Sequence, residues 1–162
     1  MRELYLFCAM NQSLRQKIFN ACLDYVNTRI DTAKQAMANA QESANAEEKS
    51  SAGDKYETGR AMMQIERDKG AQQLNEAQKL KQLLDQINNT EVRQSVVSLG
   101  SLVITSSAPH FYVAISAGRI LIDQVEYIAL APQSPIGKSL LNLKVGDTFD
   151  YNKNTCTIVK IL

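Results

Sequence analysis

Apolar residues between Ile18 and Ala44 return in steps of three and four. Ile18, Cys22 and Tyr25 lead into Val26, Ile30, Ala33, Met37, Ala40 and Ala44. Alternating steps of that kind place the residues on one stripe of a helix, the seam of a coiled coil. Ser13 suits the N-cap of this helix. The seam carries larger residues in its lower part and mostly alanine above, so two helices can approach closely toward the far end. The pattern breaks at Glu47-Glu48-Lys49-Ser50-Ser51-Ala52-Gly53, where serine and glycine supply turn chemistry. A second helix is predicted from about Asp54 to Asn88, with Asp54 as its cap and a seam of Met63, Gly70, Leu74, Ala77, Leu80, Leu84 and Ile87. Gly59 and Gly70 each cost a helix about 1 kcal/mol against alanine. Close packing on the first helix accounts for them, and a local weak point is the competing account. Two helices joined by a short turn run antiparallel. Each arm of about 32 residues extends about 48 Å. A hairpin of that length buries little surface per residue, so its Ala-, Ser-, Glu- and Lys-rich outer end is expected to be the least stable part.

After Asn88-Asn89-Thr90 the period changes to that of strands. Val96-Val97, Leu102 to Ile104, Phe111 to Ile115, Gln124 to Leu130, Thr148 to Tyr151 and Thr155 to Leu162 read as short strands. Gly100, Pro109, Gly118, Pro132, Pro135 and Gly146 punctuate them, and Gly137 to Leu143 reads as a short helix. The expected fold class is α+β: an N-terminal antiparallel α-helical coiled-coil hairpin, then a small antiparallel β domain with one short helix. The expected divisions are an N-terminal tail (1–12), the hairpin (13–89, tip about 47–57) and the β domain (90–162). Met10 precedes a polar helix start, so the functional chain is expected to begin there, with Met1 to Ala9 an upstream extension or a loosely ordered tail.

Composition narrows the function. The 162 residues carry 18 basic and 17 acidic side chains, a net charge of +1. The chain as a whole therefore has no electrostatic preference for nucleic acid or membrane. Leu4 to Met10 is too short to span a bilayer, and Glu3 with no small-residue cleavage site makes a poor signal peptide. No membrane association and a cytoplasmic location are expected. Cys8, Cys22 and Cys156 are dispersed, with no CxxC spacing, which argues against a disulfide framework and a zinc site. A coiled-coil seam can also pair weakly between chains, so self-association is open.

Candidate chemistry is sparse. Gly137-Lys138-Ser139 resembles the end of a phosphate loop, but that pattern needs glycine where Pro132 stands. A proline-started turn into a short helix, with Lys138 solvated, accounts for it better. His110 is the only histidine, so metal binding and Cys-His catalysis lack parts. Arg60, Arg67 and Lys69 with Arg29 and Lys34 form a basic stripe interleaved with acids, as on many coiled coils. At the tip, Asp54 and Glu57 are three apart and share a helix face; Glu47 and Glu48 precede the turn. Oxygen ligands at that spacing suit one Mg²⁺, though two carboxylates bind it weakly and need further ligands from a partner. The plain alternative is a solvated, charged tip whose acids favour a helix N-terminus.

The C-terminal part carries, in order, Val97-Ser98-Leu99-Gly100-Ser101-Leu102-Val103, Ile128-Ala129-Leu130, Ser134-Pro135-Ile136-Gly137-Lys138-Ser139-Leu140-Leu141, Lys144-Val145-Gly146-Asp147 and Thr157-Ile158-Val159-Lys160-Ile161. In these stretches it resembles the Gre family of bacterial transcript-cleavage factors, and the preceding hairpin matches that family's architecture. The resemblance implies an FKBP-like fold for the β domain, with Gln133, Ser134, Pro135 and Ile136 as the loop that docks on bacterial RNA polymerase. It also implies insertion of the coiled coil into the secondary channel, with only indirect contact to nascent RNA. In cleavage-competent members, tip carboxylates share Mg²⁺ with the polymerase, which performs the hydrolysis. No cofactor is held stably, and no active site of the chain's own is implied.

Two departures matter. The family often has an acidic residue near Gln133. Its tip reads Asp-x-x-Glu-Asn followed by Tyr; anchoring on Tyr56 puts the acidic positions at Lys49 and Ala52, whereas a shifted register fits Asp54-Lys55-Tyr56-Glu57. A cleavage factor, a non-cleaving regulator of the same channel, and an interaction module with another partner all remain open. A prolyl isomerase is suggested only by the fold, which does not carry activity. Phe111, Tyr112, Tyr127, Phe149 and Tyr151 lie dispersed along the strands.

Overall fold

The computed structural model describes the backbone of residues 2–50, 54–90, 92 and 94–162, and the side chains of 14–46, 59–90, 92 and 94–162. Helix α1 spans Arg2–Ser50 and helix α2 spans Asp54–Asn88. The second matches the expected bounds. The first does not: it starts well before Ser13, which lies inside the helix instead of capping it. Residues 2–12 contain no glycine or proline to stop a helix from running through. It also continues past Glu47, so the expected break lies after Ser50.

The chain divides into two compact units, Tyr25–Lys81 and Met1–Asp24 with Gln82–Leu162. This division falls within both helices.

In the helical unit, Val26, Ile30, Ala33, Ala40, Gly70 and Ala77 are buried, and Met37, Leu74 and Leu80 are half-buried. These are the seam positions read from the sequence. Contacts between the helices fix their direction. Arg29 meets Glu76 at 4.0 Å, Met37 lies against Gly70, and Arg67 donates to Gln41 at 3.4 Å. As α1 advances, its partner in α2 recedes, which is antiparallel packing. A Cβ on Gly70 would stand 2.6 Å from Met37 Cγ and 3.5 Å from the Ala33 carbonyl oxygen. Close approach, not local weakness, is therefore what this glycine provides. On the outer face, the Arg29 guanidinium lies 5.9 Å from the centre of the Tyr25 ring.

The other unit holds a six-stranded sheet made of β1 (Leu102–Thr105), β2 (His110–Val113), β3 (Gly118–Ile122), β4 (Val125–Leu130), β5 (Thr148–Tyr151) and β6 (Asn154–Ile161), in the order β3-β4-β2-β1-β6-β5. A short helix, α3 (Pro135–Leu140), lies between β4 and β5 in the chain. The α+β class stands. The expectation of a purely antiparallel sheet is corrected: β2 and β4 pair in parallel, with Phe111 opposite Ile128. The cause is β3, a strand not foreseen in the sequence. It forms a hairpin with β4 on the sheet edge, so the chain crosses over before β4 returns beside β2.

Val96 and Val97 form no strand. Val97 N–H donates to the Leu143 carbonyl at 2.8 Å and Asn142 N–H to the Val97 carbonyl at 2.9 Å, a local bridge that leaves Val97 buried in the core. That core gathers Val97, Val103, Phe111, Val113, Leu140, Phe149 and Ile158, with Ile136, Leu141 and Leu143 packed on it. Lys17 of α1 pairs with Asp123, in the β3–β4 turn, at 2.9 Å. Cys22 and Cys156 are buried and free, and burial pushes the Cys22 thiol up to about 12.

Candidate functional site

The residues expected to dock on a partner lie where β4 turns into α3. The chain leaves Leu130, turns at Ala131-Pro132-Gln133 and begins a helix of 6 residues. Ser134 is its N-cap. The Ser134 hydroxyl accepts from Gly137 N–H at 3.0 Å and donates to the Ala131 carbonyl at 2.7 Å. Ser134 N–H donates to the same carbonyl at 3.0 Å. Pro135 occupies the first helical position, where its missing N–H costs nothing. A Cβ on Gly137 would stand 2.2 Å from the Ala131 carbonyl oxygen, so no other residue fits there without backbone movement. Ile136 is half-buried against the core. Asn142, at φ +69, ends the helical run before Leu143.

The run Ser-Pro-Ile-Gly is thus a helix start built by capping, fixed φ and close approach. Four residues were singled out by resemblance; Ser134 and Ile136 are committed to the fold, and Gln133 and Pro135 are exposed.

Lys144-Val145-Gly146-Asp147 forms the next turn. The Asp147 carboxylate accepts from Lys144 N–H at 2.7 Å, and Asp147 N–H donates to the Lys144 carbonyl at 3.1 Å. Gly146 N–H donates to Ile158 and Ile158 N–H donates to Asp147, tying the turn to β6. Val145 is left 54% exposed.

The tip candidates fall at the helix ends. Glu47 and Glu48 sit in the last turn of α1; Asp54 opens α2 and Glu57 lies one turn in. Their side chains lie outside the described residues, so the structure neither brings them together nor separates them. Among the described residues, no group of His, Cys, Asp and Glu could hold a metal ion. No described helix is long and apolar enough to cross a membrane.

The remaining candidates take structural roles. Ser139 donates to the Ile136 carbonyl within α3, and Lys138 is solvated; nothing in this short turn wraps a phosphate. His110 Nδ1 accepts from Thr105 N–H at 3.2 Å, which leaves the proton of the neutral ring on Nε2. Its ring lies 5.5 Å from that of Tyr127. Burial lowers the His110 pKa below its ordinary value. The aromatics are not dispersed, as the sequence suggests. Phe111 meets Phe149 and Tyr151 edge-on at 5.4 and 5.1 Å. Phe111 and Phe149 are buried, so the cluster is filled core, not a ligand recess.

Sequence reasoning did not join Arg15, Phe19, Asn88 and Tyr112, which border a recess. The signal available was the basic Arg15 one turn from the apolar pair Ile18-Phe19, and a hydroxyl-bearing residue inside an apolar strand.

No family model matches the chain, and no curated protein matches it significantly. Among solved structures, the crystal structure of GreA factor homolog 1 (Gfh1) of Thermus thermophilus is similar, at 19% identity and a TM-score of 0.33, over 86% of this chain and 93% of that one. The crystal structure of Thermus aquaticus Gfh1 is similar at 18% identity and a TM-score of 0.30, over 88% of this chain and 94% of that one. Likeness at these scores assigns neither family nor function, and the functional reading rests on the chain's own residues.

Proposed function

We propose that this chain is a cytoplasmic Gre-like transcription factor that docks on bacterial RNA polymerase through Gln133 to Ile136 and places its helical hairpin in the secondary channel. The reading is supported by the ordered Gre-like segments across the β domain. The observation that carries it is the helix start at Ser134, which holds Gln133 and Pro135 outward while Ser134 and Gly137 are spent on the fold. In this reading the chain is not itself an enzyme; it modifies what the polymerase does.

Asp54 and Glu57 are the proposed tip acids, with Glu47 and Glu48 in reserve. The start of α2 at Asp54 puts Asp54 and Glu57 at i and i+3 of one helix, a spacing that suits two carboxylates facing one cation. Two carboxylates alone hold Mg²⁺ weakly, so the remaining ligands belong to the polymerase. Mg²⁺ held there would activate water toward the RNA phosphate.

A second reading, a regulator of the same channel that does not promote cleavage, is favoured by Lys49 and Ala52. They stand where acids are expected when the tip is aligned on Tyr56.

Purified polymerase with stalled elongation complexes separates these readings. Binding, with RNA cleavage that Asp54→Ala/Glu57→Ala abolishes, supports the first reading. Binding without cleavage selects the second. Failure to bind or to compete with a known channel factor rejects both, and leaves an interaction module with another partner.

A further inference from the structure

Tyr112 of β2 is fully buried, and its hydroxyl, which can only accept from the nearby Arg15 guanidinium, has no acceptor for its own proton among the described residues. A buried phenol normally finds one. The residue borders a pocket of about 390 Å³, whose other described walls are Arg15, Gln16 and Phe19 of α1 and Asn88 at the end of α2. All five belong to the same compact unit.

The groups that face this pocket are mismatched in one direction. Arg15 offers only donors, and its guanidinium makes no ion pair among the described residues. The Tyr112 hydroxyl keeps its proton: burial pushes the phenol up to about 12, with Arg15 the nearby charge pulling it back. Asn88 brings a further amide. Gln16 already donates to Asn20 at 3.0 Å. None of the described walls is a carboxylate, so among the described residues no negative acceptor lines the pocket beside Arg15 and Tyr112. Phe19, only 7% exposed, gives the recess an apolar wall beside these donors. The volume alone falls within the range of small-molecule sites.

We propose that this pocket binds a small organic anion, a carboxylate or phosphomonoester that accepts from the Arg15 guanidinium and the Tyr112 hydroxyl while its apolar body lies against Phe19. A charge-assisted bond of this kind is the stronger class of hydrogen bond, and a guanidinium matches the geometry of either head group. The proposal is independent of polymerase docking, because it concerns the isolated chain.

The test uses the full chain and four probes: benzoate, phenyl phosphate, acetate and inorganic phosphate. The readouts are the NMR resonance of the Arg15 Nε–H and the thermal midpoint. Benzoate or phenyl phosphate is expected to shift both saturably, and whichever binds more tightly identifies the head group. Arg15→Met is expected to abolish binding. Tyr112→Phe retains the ring and its packing, and is expected to weaken binding about tenfold, the loss of one good hydrogen bond. Should Arg15→Met fail to fold, Tyr112→Phe alone still decides. The proposal is overturned if no probe saturates up to about 10 mM, an affinity too weak to matter. It is equally overturned if Tyr112→Phe binds as tightly as the parent, or if acetate and inorganic phosphate match their phenyl counterparts.

Discussion

The Ser134 hydroxyl holds the Gly137 N–H at 3.0 Å and the Ala131 carbonyl at 2.7 Å, so one side chain closes both the turn and the helix that follows. Ser134→Ala is expected to cost about 1 kcal/mol, the usual worth of an N-cap. Gly137→Ala is expected to cost more, about 3 kcal/mol, because its Cβ would meet backbone that cannot rotate away. Urea unfolding measures both. The ordering has a practical consequence for testing the proposed docking: any binding loss in Ser134→Ala is confounded by folding, whereas Gln133→Ala changes an exposed residue that the fold does not use. A Ser134→Ala variant as stable as the parent would remove the capping argument.

Gly70 and Met37 offer a sharper test of the hairpin. Alanine at position 70 gains about 1 kcal/mol in helix propensity. Against this, its Cβ meets Met37 Cγ at 2.6 Å, an overlap of a kind that costs about 1–3 kcal/mol. Gly70→Ala is therefore expected to be destabilising on its own and stabilising in a Met37→Ala background. The coupling sign in a double-mutant cycle, read from thermal unfolding, checks it. Additive effects would mean the helices are not packed at this point.

The helical seam was legible because burial there follows one period: Val26, Ile30, Ala33 and Ala40 are buried as their spacing demands. The sheet was less so. In β3 burial alternates, Leu121 being 73% exposed between half-buried Ile120 and Ile122, but all three are apolar, so the sequence of this edge strand hides the alternation that marks a buried face. The parallel pairing of β2 with β4 depends on that missing strand. Val96-Val97 misled for the opposite reason: one buried valine bonded to the Asn142–Leu143 turn has the composition of a strand without a ladder. At the site, resemblance located the Ser134 loop but could not say which of its residues serve the fold. The Tyr112 recess draws on residues nearly a hundred positions apart, and no local pattern carries that.

His110 ties stability to pH. Its Nδ1 accepts from Thr105 N–H, and burial lowers its pKa from the ordinary 6.5. The unfolded chain thus takes up a proton before the folded one does. The contribution is complete above pH 6.5 and is lost as pH falls through the lower folded value. Tyr127, the neighbouring ring, has its own pKa raised above 10 and does not titrate in this window. The stability difference between the parent and His110→Gln is expected to be flat above pH 6.5 and to shrink on acidification. A difference that stays constant or grows as pH falls would show that the histidine is not held neutral.

The two hairpins turn through residues of unusual backbone. Asp123-Gln124 joins β3 to β4 with φ +50 and +66, and Asn152-Lys153 joins β5 to β6 with the same pair of angles. Two successive residues at positive φ are the signature of a type I′ turn, whose twist matches that of the flanking strands. Asp and Asn tolerate the first position, but Gln124 and Lys153 stand where glycine is preferred. Lys153 is exposed. Replacing it with glycine removes strain in the folded state and loosens the unfolded chain, two opposed effects. The strain term is the larger, so Lys153→Gly is expected to stabilise by about 0.5–1 kcal/mol. Gln124→Gly is expected to do the same, and the two should add, since they act on separate turns. Lys153→Ala, which relieves no positive φ, is the control: it should leave the urea midpoint nearly unchanged. A glycine variant less stable than this control would contradict the turn geometry.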